Sequence, residues 1–106
     1  MTTDLRCGID TPLVSADHAK RTLSDTLPDW QLSPDGTTIE RTIKTKGFAK
    51  ATYLSGLAIF LADKTGHHPD MSLGWGYFTI RYTTHDAGGL TQVDLNSART
   101  FDTLLA

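Results

Sequence analysis

The sequence predicts an α+β domain: an antiparallel sheet with helices on one face, in the order α-β-β-α-β-β-α. Three observations lead there. Two segments read as strand pairs about a turn, the first by alternation and the second by its β-branched and aromatic residues. A long segment between them repeats its apolar residues at helical spacing. A shorter helical pattern flanks each end.

Residues 1–14 carry Gly8 and Pro12, lack periodicity and read as a loose N-terminal arm; residues 15–106 read as one domain. Ser15 is placed to cap a first helix, in which Ala16, Ala19, Leu23 and Leu27 recur at helical spacing, and Pro28 stops it. Trp30 and Leu32 then alternate up to Ser33-Pro34-Asp35-Gly36. In that turn proline presets φ and glycine tolerates positive φ. Thr37, Ile39, Arg41 and Ile43 form the returning strand.

From Phe48 to about Lys64 the pattern is helical. Ala51, Leu54, Ala58 and Leu61 form one apolar row, and Phe48, Thr52 and Ile59 a second. Two rows imply burial on two sides, for instance against the sheet and against another subunit. Gly66 is a good terminator for this helix. Met71–Trp75 and Tyr77–Thr84 read as two strands about Gly74 and Gly76. Thr91 followed by Asp94 has the form of a capping box for a last helix, with Leu95, Ala98, Phe101 and Leu105 inward.

At 106 residues, 39% hydrophobic, 21% charged and with a formal net charge of −2, the chain has ordinary globular composition. No basic patch suited to nucleic acid is visible, so direct nucleic-acid binding is not expected. Cys7 is the only thiol, which excludes an intrachain disulfide and a cysteine-based zinc cage. The opening residues lack the basic and apolar regions of a secretory signal, and the longest wholly apolar run is Leu57–Ala62. A soluble, cytoplasmic protein with no membrane partner is the expectation.

The chemistry concentrates in one place. Three of the four histidines, His67, His68 and His85, fall within a 19-residue stretch. Imidazole titrates near neutrality and so serves as proton donor or acceptor. A single histidine after a helix is ordinarily a cap for its carbonyls. The tandem pair is different because Pro69 restrains His68 to extended geometry. Asp63 sits unfavourably near a helix C-terminus and wants a partner, for which His67 is a candidate. Asp94 is accounted for as the capping carboxylate, and Trp30 and Trp75 as core residues, although an indole could also stack on a flat heterocycle. A metal site is disfavoured because adjacent histidines seldom share one ion and no His-Glu-x-x-His pattern occurs; no Gly-x-Ser-x-Gly elbow occurs either.

The same residues resemble the pterin-4a-carbinolamine dehydratase family, which also includes a dimerisation cofactor of a homeodomain transcription factor. Asp63, His67-His68-Pro69, Trp75, His85 and Asp94 meet every spacing of its motif. Thr84 to Thr91 resembles its Thr-His-x-x-x-Gly-Leu segment, and Leu27-Pro28-Asp29-Trp30 its helix-to-strand tryptophan. The similarity runs from about Leu23 to the C-terminus. Many bacterial members carry a cysteine pair in the arm, where this chain has only Cys7.

The resemblance implies a four-stranded antiparallel sheet and a homodimer or homotetramer. It also implies an activity: loss of water from 4a-hydroxytetrahydropterin to give quinonoid dihydropterin, recycling the cofactor of aromatic amino-acid hydroxylases. His67, His68 and His85 would be catalytic, with His67 and His85 as acid and base and His68 orienting the pterin. Asp63, Trp30, Thr84 and Asp94 would bind substrate, with Asp63 also holding an imidazole in its tautomer. The pterin is then the substrate, and neither cofactor nor metal is required. The alternative is a non-catalytic dimerisation or assembly factor acting through protein contacts.

Overall fold

The computed structural model describes residues 11–106; residues 1–10, with Cys7 and most of the expected arm, lie outside the described residues. The end of the arm is not loose. Val14 donates its N–H to Leu90 O at 2.9 Å, and Leu13 forms a bridge with Thr91.

Helix α1 spans Ala16–Thr26, and the Ser15 hydroxyl accepts the His18 N–H, the capping expected for that residue. Strand β1 is only Gln31–Leu32, and β2 is Ile39–Lys44. Asp35 organises the turn between them, where Gly36 takes φ of 76°. One Asp35 oxygen accepts from Ser33 Oγ, Thr37 Oγ1 and Thr37 N at 2.7–3.1 Å. The two hydroxyl bonds, then the backbone bond, hold the Asp35 carboxyl below its ordinary value.

Helix α2 runs Phe48–Thr65 and ends on Gly66 in the left-handed conformation (φ 75°), whose N–H bonds to Ala62 O. Strands β3 (Asp70–Gly74) and β4 (Tyr77–Tyr82) form the second hairpin. Strand β4 stops two residues earlier than its β-branched composition suggested. The chain curls instead into a 3-10 turn at His85–Ala87, because the Thr84 carbonyl accepts from Ala87, Gly88 and Gly89. Helix α3 spans Gln92–Leu105.

The four strands lie in the order β1-β2-β4-β3, with every pairing antiparallel. Register divides the sheet into two faces. Ile39 opposes Tyr82, Arg41 opposes Ile80, and Ile43 and Leu73 flank Phe78, so these side chains share one face. That face packs with Leu23, Leu27, Leu54, Ala58, Leu95, Ala98 and Phe101 of the helical layer into one core. The other face is polar: Thr42 bonds Thr79 at 2.9 Å, and Glu40 pairs with Arg81. The fold is therefore the expected α+β sheet with helices on one side.

On α2 the row Ala51, Leu54, Ala58 and Leu61 is buried in the core, while Phe48, Tyr53, Ile59 and Phe60 are about half exposed. Among the described residues no helix is long and apolar enough to cross a membrane.

Candidate active site

Three chain reversals meet at one end of the sheet. Gly66 ends α2 and releases His67 and His68; the end of β4 supplies Thr83 and Thr84; the 3-10 turn supplies His85 and Asp86. Together these seven residues line a cleft of about 210 Å³. The three motif histidines, separated by up to 18 positions, thus share one cavity. It is smaller than the roughly 300–1,000 Å³ of sites for drug-sized ligands. A larger hollow of about 460 Å³ between α1 and α3, lined by Arg21 and Arg99 among others, contains none of these histidines.

The imidazoles have unequal surroundings. His67 is 5% exposed, whereas His68 and His85 face solvent. Its Nε2 lies 2.6 Å from Oδ1 of Asp94, itself 0% exposed. The second Asp94 oxygen accepts the Thr84 hydroxyl at 2.8 Å and the Thr91 N–H at 2.9 Å. Because the Thr84 proton is committed to Asp94, the 2.9 Å contact between the Thr84 and Thr91 hydroxyls makes Thr91 the donor there. An ionised carboxylate only accepts, so the network assigns the His67 proton to Nε2. Asp94 therefore does two jobs. It closes the capping box of α3, as expected, and holds the buried histidine. His85 sits 3.7 Å from Asp70 in an exposed pair, a contact of small energetic value.

Three expectations need correction. Asp63 does not hold His67: it is exposed on α2, without a hydrogen bond or ion pair among the described residues, and Asp94 occupies that role. One helical turn of sequence separation suggests that Asp63 is near, but α2 ends at Gly66 and the His67 ring beyond it bonds Asp94 instead. Trp30 does not face the cleft. It is 3% exposed in the core, its indole N–H shared between both oxygens of Asp102 at 3.0 Å, and Arg41 pairs with the same carboxylate at 2.6 Å. Trp75, read as a core residue, is 77% exposed because it occupies the β3–β4 turn. Thr84 lines the cleft.

Sequence reading also passed over Tyr82. Its ring stacks on His67 with centroids 5.7 Å apart and planes 14° from parallel. Strand alternation would have found it, since Phe78, Ile80 and Tyr82 share the buried face. Burial, and secondarily the charge of Asp94, pushes the Tyr82 phenol far above its ordinary value, so it stays neutral. Among the described residues no group of three histidine, cysteine, aspartate or glutamate side chains converges as metal ligands.

The architecture defines a class: a small α+β domain whose sheet end carries a cleft of three imidazoles, one of them pinned by a buried carboxylate. Residues 12–104 match the family model described as pterin 4 alpha carbinolamine dehydratase, and the chain belongs to that family. It is 42% identical over 91 residues to a protein of Paracoccus denitrificans provisionally named pterin-4-alpha-carbinolamine dehydratase, covering 86% of this chain and 84% of that one. A protein of Nocardia farcinica with the same provisional name is 39% identical over 94 residues, covering 89% and 96%. Among solved structures, the transcriptional coactivator/pterin dehydratase from Brucella melitensis shares the fold, with a TM-score of 0.80 at 23% identity, covering 90% of this chain and all of that one.

Proposed function

We propose that the chain removes water from 4a-hydroxytetrahydropterin to give quinonoid dihydropterin. The C4a–O bond breaks while the N5 lone pair forms the C4a=N5 double bond. The departing oxygen takes a proton and leaves as water, and the proton on N5 is given up to a base. One donor and one acceptor near neutrality suffice, and each positioned group typically contributes ~10²–10⁴-fold. The observation that carries this reading is the convergence of three imidazoles on one small cleft, with His67 oriented through Asp94. In this reading His67 and His85 exchange the protons, His68 orients the pterin, and Thr84 and Asp94 position His67.

The test adds the protein to an aromatic amino-acid hydroxylase reaction and follows decay of the 4a-hydroxypterin absorbance. Acceleration is expected, unaffected by a chelator. His67→Ala and His85→Ala should each lower kcat about 10²-fold or more, and His68→Ala should chiefly raise KM. No acceleration by the native protein, or native turnover in both kcat variants, overturns the reading.

Phe48, Tyr53, Ile59 and Phe60 leave four large apolar side chains about half exposed along α2, the kind of surface that marks an interaction site. The same reading therefore includes a homo-oligomer closed over α2.

A further inference from the structure

We propose that Tyr82 is a positioning residue for His67, its ring face stabilising the imidazolium that forms each time His67 takes up a proton. The catalytic use of this contact rests on the proton-transfer role proposed for His67. A cation within roughly 6 Å of an aromatic centroid is drawn to the ring face, more strongly where water is excluded. The His67 ring meets both conditions: it lies 5.7 Å from the Tyr82 centroid, nearly parallel to it, in a pair that is almost wholly buried. Asp94 takes the edge of the imidazole through Nε2, and Tyr82 takes a face. The two contacts are complementary, since one sets direction and the other covers the plane.

Tyr82 cannot swing away. Trp30 backs it at 5.9 Å, and Trp30 is itself fixed by Asp102 and by an edge contact with Phe101. The Tyr82 hydroxyl is buried and makes no hydrogen bond among the described residues, so what the side chain offers His67 is its ring. A leucine would satisfy the alternation of β4 equally well; an aromatic face is what it would not supply. Other groups near His67 include Thr65, whose hydroxyl accepts the His67 N–H, Asp94 and Thr91 from the start of α3, Thr84 beyond β4, His68 next in the chain, and His85 and Asp86 lining the cleft.

The test grades the ring without changing its shape. Phenylalanine, then phenylalanines bearing one, two and three ring fluorines, are placed at position 82 of the full chain. The His67 ring is followed through a pH titration by NMR. Tyr82→Phe should leave the midpoint nearly unmoved, and each fluorine should lower it, by about half a pH unit across the series. Tyr82→Leu should lower it as well. A midpoint that stays flat across the fluorinated set overturns the proposal, whatever the leucine variant does to folding. In the hydroxylase-coupled assay kcat should fall along the series with KM constant. Turnover indifferent to fluorine while His67→Ala is inactive overturns the positioning role. Native turnover in His67→Ala would instead overturn the proton-transfer role assigned to that histidine.

Discussion

His67 Nε2 and Asp94 Oδ1 stand 2.6 Å apart across 27 positions of sequence, both almost fully removed from water. The contact ties the loop after α2 to the first turn of α3. It also makes one carboxylate answer to helix stability and to imidazole orientation together.

Thr84→Val separates those duties. It keeps the shape of the side chain but withdraws the hydroxyl from Asp94 and from Thr91, leaving a buried Asp94 oxygen short of a donor and the Thr91 hydroxyl short of an acceptor. A stability loss of about 1–3 kcal/mol is expected by denaturant unfolding. Asp94→Asn should act differently. It turns an NH2 toward groups that themselves donate, so kcat should drop about 10²-fold even under conditions where circular dichroism shows the fold intact. Unchanged turnover in a folded Asp94→Asn protein would detach the carboxylate from the chemistry.

Alkali should expose Tyr82. The unfolded phenol ionises near its ordinary value of 10.0, whereas the buried one holds its proton to higher pH. Above that pH the folded state binds more protons than the unfolded state, so stability falls as pH rises. The contribution is complete below pH 10.0 and is lost as pH climbs above it. Tyr82→Phe has no proton to lose and should show a shallower decline in melting temperature between neutral and strongly alkaline pH. Parallel declines would contradict this.

Acid acts on the β1–β2 turn with the opposite sign. The Asp35 carboxyl is held below its ordinary value by Ser33 and Thr37, so it stabilises the fold above that value of 3.8 and the contribution disappears as pH falls past it. The melting temperature of Asp35→Asn should lie below that of the native chain at neutral pH. The gap should close as the pH is lowered through the carboxylate range. A gap independent of pH would assign the turn's stability to the loop geometry alone.

Phe60→Glu places a charge on the half-exposed face of α2, on the side away from the buried row Ala51, Leu54, Ala58 and Leu61. Sedimentation should show the native chain as an oligomer at micromolar concentration and the variant as a smaller species. A native monomer would remove the partner proposed for this face.

Much of this molecule is local in origin. The Ser15 cap, the Asp35 turn, the Gly66 terminator and the Thr91–Asp94 box are each encoded within a few residues, as are the helical and strand periods, and each could be read in sequence. The motif histidines were legible for the same reason: their spacing is a property of the chain. Tertiary structure decided which carboxylate serves His67, whether a tryptophan faces the cleft or the core, and that Tyr82 covers the imidazole. Those outcomes depend on where separate segments converge at one sheet end. Asp63 is four positions from His67 and looks toward solvent, while Asp94, 27 positions away, makes the bond. Short-range sterics and hydrogen bonding set the elements of this protein; the partner of a buried polar group is chosen by whichever distant donor or acceptor packing excludes from water beside it.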